Sequence, residues 1–284
     1  MLRKFLAIVE DTIREGLAKK TILGMFIVSS VAILIAVLLF QMDSVQQGLL
    51  SPSSQHIQVN GRSGPNPALL GVTVLEFVWM TISMMLLVAS IFVGAFVTAG
   101  FITSLMEKGT IDLLLSKPIP RWLYIVGRYS GAVLIILVEV TYLIFGLWLT
   151  AGLSLHTWSS TFLASILFIT LSFAGVYALV TLVGILTRSS WFAIIIGLAL
   201  YILASIVVPI GQWIDKLLNG ETGGGLVTTV ANIFHYTIPS EGMGASLNSM
   251  ILGHGAVATP IVITSLLCIA YVVLSCFAFS KKEF

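Results

Sequence analysis

Glu139 is the side chain whose position most clearly implies chemistry, because no other acidic or basic residue lies deep inside a long apolar run of this sequence. At helical rise it would sit roughly 15 to 20 Å from the nearer end of its run. A carboxyl group at that depth in a bilayer is costly and marks either a transport pathway or a hydrogen bond between helices. A purely structural alternative is a protonated carboxyl bonded to Tyr142, one turn further along. The sequence leaves both interpretations open.

Other residues that support catalysis or metal binding form no recognised motif. Cys268 and Cys276 are eight positions apart on one predicted helix, about 12 Å along its axis, too far to form a disulfide. The 284 residues contain no G-x-S-x-G or H-E-x-x-H pattern, and no Gly-Lys dipeptide for a phosphate-binding loop. We therefore expect no enzymatic activity and no cofactor or metal in this chain. The histidines share an expected place in outer loops and no compact ligand spacing: His56, His156, His235 and His254.

Composition assigns the chain to the membrane-protein class. Hydrophobic residues make up 58% of the sequence and charged residues 9%, whereas soluble domains have about 25% charged residues. Backbone groups in lipid must be satisfied internally, and the apolar runs lack the alternating polarity of barrel strands, so we predict an all-α membrane protein with a single transmembrane domain. The six predicted spans are 21–40, 81–101, 125–151, 161–187, 191–210 and 257–279.

The distribution of positive charge predicts the orientation. With six spans, all but two of the 14 Lys and Arg residues fall on the side of the N-terminus, and only Arg62 and Lys216 fall opposite. Cytoplasmic loops carry the excess of positive charge, so both termini are predicted to be cytoplasmic.

Three segments outside the spans also have helical character. Residues 1–20 place apolar side chains on one face and charges on the other, which predicts an interfacial helix lying beside the first span, or an arm on a soluble partner. Residues 211–255 predict a small outer cap built from short helices at 213–218, 226–235 and 245–252. Apolar character before the second span begins near residue 68, which places Glu76 and Trp79 at the outer interface.

The cytoplasmic segment 104–121 interrupts the membrane pattern with the sequence EKGTIDLLLSKPIPR at 107–121. Gly109 ends the incoming helix, a short apolar helix follows, and Pro118 and Pro120 stop it and favour the start of the next one. Exposed leucines on such a helix fit a groove on another protein. The alternative is that they pack into the membrane-facing core, and the residues alone do not decide between the two.

This segment, together with the six spans and the N-terminal helix, resembles the membrane subunits of ABC-2-type transporters, most closely the branch associated with copper-enzyme maturation permeases. His235, Tyr236 and Pro239 resemble the aromatic-proline element that precedes the last span in such permeases. Gly127 is followed by Arg128 where the family usually has Lys. The residues that match the family's cytoplasmic turn are Glu107, Gly109, Thr110, Ile111, Leu113, Leu114, Leu115, Ser116, Pro118 and Arg121.

The resemblance implies that this turn is a coupling helix seated in a cleft of a separate ABC ATPase, which binds ATP and magnesium. It further implies an exporter in the bacterial plasma membrane, working as a homodimer or as a pseudo-dimer with a related permease, in contact with membrane lipid and with no nucleic acid. Gly127, Gly131 and Ala132 offer a close-packing face, either between subunits or within one. Two other functions stay open: a mechanotransmitting scaffold acting on an outer-side protein, and an ion-coupled secondary transporter that uses Glu139.

Overall fold

The computed structural model describes residues 2–18, 20–41, 58–59, 62–63, 74–103, 120–156, 158–217, 229, 233–234, 237–239 and 242–281. In these ranges the helices are α1 (Leu2–Ala18), α2 (Thr21–Phe40), α3 (Val74–Thr103), α4 (Arg121–Leu155), α5 (Ser160–Thr187), α6 (Ser190–Leu217), α7 (Met243–Ile251) and α8 (Ala258–Ser280). Two short antiparallel strands, β1 (Gln58–Val59) and β2 (Arg62–Ser63), pair between α2 and α3.

Six of these helices, α2 to α6 and α8, are long and apolar enough to cross a membrane. The predicted class, an all-helical membrane protein with six spans, is confirmed. The reason is the one that made the prediction possible: a bilayer needs about 20 apolar residues per helix, and each predicted run supplies them.

Helix α5 is the centre of the bundle. In the most apolar stretch of α5, 72% is buried inside the protein, compared with 11% of the corresponding stretches of α2 and α8. It packs on α3, α4, α6 and α8, whereas α2 packs mainly on α4 and leaves most of its apolar surface uncovered. Apolar side chains on the uncovered surface are suited to lipid, so α2 and α8 belong to the periphery of the subunit.

Helix α3 is one continuous helix of 30 residues, or about 45 Å, and the predicted span 81–101 lies inside it. Glu76 lies in its first turn and is partly exposed. Trp79 is 3% exposed, with its ring centroid 4.2 Å from that of Phe162 in α5. A residue covered by a neighbouring helix can lie at any depth in the membrane, so the place of Trp79 at the outer interface stays a prediction.

The segment that follows the fifth span also differs from the prediction. The helix predicted at 213–218 is not separate, since α6 continues to Leu217. A single glycine inside a helical pattern is tolerated, and the helix continues through Gly211. The predicted helix at 245–252 corresponds to α7, and most of 226–235 lies outside the described residues.

Candidate functional site

Glu139 lies near the middle of α4 and is 6% exposed. Its Oε1 accepts a hydrogen bond from Ser29 Oγ of α2 at 2.5 Å. Such a bond joins two spans through side chains that would otherwise be polar groups in an apolar environment. Of the interpretations of Glu139, a hydrogen bond between helices is the one that Oε1 makes.

Tyr142 is not the partner of Glu139. Its hydroxyl lies 2.9 Å from Ser30 Oγ, and its ring packs edge-on against Phe26 with centroids 5.2 Å apart. Side chains three positions apart on a helix point in directions that differ by about 60°, enough here to bury Glu139 and leave Tyr142 exposed. Two neighbouring residues of α4 thus bind two adjacent serines of α2.

The other carboxyl oxygen, Glu139 Oε2, is buried and has no hydrogen-bond partner among the described residues. Glu139 also lines a cavity of about 420 Å³ between α2, α3 and α4. The remaining wall is apolar except for Ser29 and Ser90, and Ser90 Oγ donates to the carbonyl of Leu87 at 2.9 Å. The cavity is thus almost entirely apolar, and Glu139 Oε2 has almost no accessible surface in it.

The cavity opens sideways between α2 and α3. Its floor, on α4, is buried and includes Ile136 and Glu139, while Val28 of α2 and Val93 of α3 are exposed at its rim. The cleft exists because α2 packs mainly on α4 and α3 mainly on α5. The opening therefore lies on the side of the bundle, about halfway along the spans, and not at either end.

A second cluster fixes α1 to the beginning of α4. Arg128 is 6% exposed, and its guanidinium donates to carboxylates of α1, from Nη2 to Asp11 Oδ2 at 3.0 Å and from Nη1 to Glu15 Oε2. A guanidinium presents several donors in a planar fork, so one side chain can bridge two acidic residues a helical turn apart. The polar face of α1 is therefore turned partly towards α4.

The small residues at the start of α4 serve this same contact. A Cβ added at Gly127 would lie 2.7 Å from Ile8 Cγ2, and one added at Gly131 would lie 2.8 Å from Thr12 Cβ. Both distances are too short for ordinary packing, so α1 approaches α4 as closely as it does because these positions are glycines. Of the two interpretations of Gly127 and Gly131, close packing within one subunit is the one observed.

The ends of α3 and α4 that flank the predicted coupling segment are held by a group of stacked aromatic rings. Tyr177 of α5 is fully buried and donates to the carbonyl of Thr98 on α3 at 3.0 Å. Tyr129 of α4 donates to the carbonyl of Ala174 on α5 at 2.6 Å. The Tyr177 ring stacks between Tyr129 and Phe173, with centroids 5.5 and 5.4 Å away. Through these contacts α3 and α4 are both tied to α5.

Of the predicted coupling residues, the structure describes Arg121. Residues 107–119 of the motif lie outside the described residues, while Arg121 is the exposed first residue of α4, preceded by Pro120 in an extended conformation. Proline before the first helical residue suits a helix start, as predicted. The structure thus defines the two helices that the segment connects.

Of the predicted aromatic-proline element before the last span, the structure describes Pro239. Pro239 is buried, and a Cβ added at Gly175 of α5 would lie 2.6 Å from its Cβ. Thr237 accepts a hydrogen bond from the hydroxyl of Tyr271 in α8 at 2.7 Å. His235 and Tyr236 lie outside the described residues, as does His56, whereas His156 and His254 are exposed.

Sequence reasoning missed Ser29 and the ion pairs of Arg128. Serine in an apolar helix usually donates to the backbone carbonyl one turn back, as Ser30 does to Phe26 at 2.7 Å. The residue type of Ser29 therefore does not indicate a partner on another helix. Arg128 carried a signal that was available: Asp11 and Glu15 lie four residues apart on α1, on one face of that helix.

Comparison with known proteins identifies a family. A protein-family model described as ABC-2 family transporter protein matches residues 23–284, which cover the six candidate spans except for the first two residues of α2. No curated protein matches the chain. The predicted copper-maturation branch is a finer division than this model draws and stays a prediction. With almost the entire chain matched and six spans in place, this membrane protein belongs to the ABC-2 transporter family.

Proposed function

We propose that this chain is the membrane-spanning permease subunit of an ABC exporter, driven by a separate ATPase that binds the segment 107–121. The observation that carries the proposal is the family match over residues 23–284, since this family consists of transport membrane components. We assign the chain to the bacterial plasma membrane, as the family resemblance implies, with both termini cytoplasmic, as the positive charges predict. A second copy, or a related permease, completes the pathway.

The geometry supports this role through the way α3 and α4 are joined. Force applied to the segment between Thr103 and Arg121 acts on the ends of both helices at once. Tyr177 and Tyr129 tie those ends to α5, and Arg128 ties α4 to α1. A push from the ATPase would therefore move a rigid group of helices, which is how coupling between distant sites is transmitted.

The proposed ATPase contact is tested by affinity purification from the native membrane in mild detergent. We expect a nucleotide-binding protein to purify with the chain and to be lost in Leu114→Asp, because a charge on the apolar side of the coupling helix cannot enter an apolar cleft without a partner. Leu50→Asp, in the loop predicted on the outer side, is the matched control and should keep the ATPase.

Retention of the ATPase by Leu114→Asp would contradict the assignment of this segment as the coupling helix. If no ATPase accompanies the wild-type chain, ion-coupled transport becomes the better explanation. That alternative is favoured by one observation, the buried Glu139 carboxyl in the wall of a cavity at mid-depth.

A further inference from the structure

We propose that the cavity between α2, α3 and α4 holds one acyl chain of a phospholipid, which enters sideways from the leaflet beside the N-terminal end of α2. The two helices at the mouth of the cavity, α2 and α3, make little direct contact with each other, and the acyl chain fills the space between them. This inference goes beyond the proposed function, because it concerns binding and holds whether or not the subunit transports its ligand.

The polar groups around the cavity are already bonded or covered, so they select neither water nor a polar ligand. Ser29 Oγ donates to Glu139 Oε1, and Ser90 Oγ donates to the carbonyl of Leu87. Glu139 Oε2 has almost no accessible surface. A buried water molecule needs about two to four polar partners, and an apolar cavity without them stays dry. The rest of the wall is apolar, so the occupant that matches it is a hydrocarbon.

The volume of the cavity, about 420 Å³, corresponds to one acyl chain. An apolar protein cavity of about 150 Å³ holds one benzene molecule, so at the same density the present cavity holds roughly 17 carbon atoms. An ordinary phospholipid acyl chain has this length, and a second chain would find no room. Left empty, the cavity would forfeit the van der Waals contacts of its lining.

The position of the opening gives the chain a route from the bilayer. Gly24 and Ser29 lie about 5 and 12 Å from the start of α2 at helical rise, which is within one leaflet of a hydrocarbon core about 30 Å thick. A Cβ added at Gly24 would meet no atom within 4 Å, so the wall is open there. Val28 and Val93 are exposed at the rim. An acyl chain of that leaflet therefore reaches the cavity while its headgroup stays at the membrane surface.

A second copy of the chain fits the cavity less well than a lipid does. A helix with its side chains is about 10 Å across, too wide to enter a recess between two neighbouring helices. A single inserted phenyl ring would fill about a third of the volume, by comparison with the cavity that holds benzene. The remaining lining would stay without contacts, whereas a flexible hydrocarbon chain can follow the recess along its length.

Binding is measured by native mass spectrometry on the purified full chain, taken from lipid nanodiscs and washed in lipid-free detergent. The probe is a phosphatidylcholine that carries a photoactivatable diazirine in the middle of one acyl chain. We expect one probe lipid per chain to survive the wash, because a chain inside the cavity exchanges more slowly than lipid on open surface. After illumination of the washed chain, cross-links should lie in 24–29 and 86–93 and not near Leu266, which is exposed on α8. A washed chain without lipid, or cross-links spread equally to α8, would overturn the proposal.

Two filling variants with matched controls locate the acyl chain. Gly24→Leu places a side chain in the open space at the cavity wall and should remove the retained lipid; Gly100→Leu, at a glycine with equally open surroundings outside the cavity, should keep it. Ala89→Phe fills the cavity from α3 and should also remove the lipid, whereas Val88→Phe, at an exposed neighbour that does not line the cavity, should not. Lipid retained by either filling variant in folded form would refute the site, as would equal loss in the controls. The two variants lie on different helices, so the test stays valid if one of them impairs folding.

The mass retained by a chain purified directly from its native membrane identifies the source of the hydrocarbon. An intact phospholipid supports the proposal, and a free fatty acid alone would overturn it. If the wild-type chain retains no lipid and Gly24→Leu separates a dimer in light scattering, the recess belongs to a subunit interface and the acyl-chain site is refuted.

Discussion

Arg128→Met is expected to release α1 from α4 and to lower the free energy of unfolding by about 1 to 2 kcal/mol, less than for a fully buried ion pair because the Asp11 side chain is 59% exposed. The substitution keeps an unbranched apolar stem but leaves Asp11 and Glu15 without the guanidinium that binds both. Glu15, whose side chain is 21% exposed, then loses its bond to the guanidinium beside a closely packed surface. Thermal unfolding of the purified chain in detergent measures the loss, and hydrogen exchange of peptides from α1 shows where it arises.

Two further variants separate charge from geometry. Arg128→Lys restores one positive charge but not the planar fork, so it should recover part of the stability while α1 still exchanges faster than in the wild type. This comparison has added interest because Lys is the residue that the family resemblance leads one to expect after Gly127. Arg14→Met removes the exposed pair between Arg14 and Glu10 and should cost less than about 0.5 kcal/mol. Equal stability of Arg128→Met and Arg14→Met would show that α1 is held by its apolar contacts alone.

The spans were predictable because lipid leaves few choices. An apolar run of about 20 residues in a membrane must become a helix, and this rule needs no knowledge of the neighbours. The predicted run 21–40 coincides with α2, and the other runs differ from their helices mainly at the ends. The helix ends, such as the first turns of α3, extend beyond the run that the hydrocarbon thickness requires. There the length of the helix depends on packing against other helices.

The contacts between spans were less predictable, since they depend on which helix faces which. Glu139 stood out by its charge, but its partner Ser29 is 110 positions away and looks like any serine in an apolar helix. Trp79 was assigned to the interface by its residue type and is covered by Phe162 of another helix. In each case the sequence shows that a group needs a partner, and only the arrangement of helices shows which partner it has.

The aromatic contacts of Tyr177 lead to the second large effect. Tyr177→Ala is expected to lower the free energy of unfolding by about 3 to 5 kcal/mol, the usual range for truncating a buried aromatic side chain. The change removes a ring held between Tyr129 and Phe173, together with the bond to the Thr98 carbonyl. In a membrane this loss is one of packing and hydrogen bonding rather than of exclusion from water, because the alternative surroundings are also apolar.

The control variants for Tyr177 separate the ring from the hydroxyl. Tyr177→Phe keeps the stack and removes one hydrogen bond, so it should cost about 1 kcal/mol. Tyr142→Ala truncates a tyrosine that is 41% exposed and should cost clearly less than Tyr177→Ala, because part of its ring already lies outside the packed interior. Thermal unfolding of the three variants in one detergent gives the ranking, and equal losses at Tyr177 and Tyr142 would contradict the central place given to the stack.

If α3 and α4 transmit force through Tyr177, the same substitution should also separate ATP hydrolysis from movement of the spans. The proposed ATPase should still bind Tyr177→Ala, since the segment 107–121 is unchanged, but nucleotide should no longer alter the environment of α5. A fluorescent label attached at Cys276 in a Cys268→Ser background reports on α8, which packs directly on α5. A label response to ATP that survives Tyr177→Ala would mean that force reaches α8 without the Tyr177 stack, and the direct contact of Cys276 with the carbonyl of Trp122 in α4 is the next to be tested.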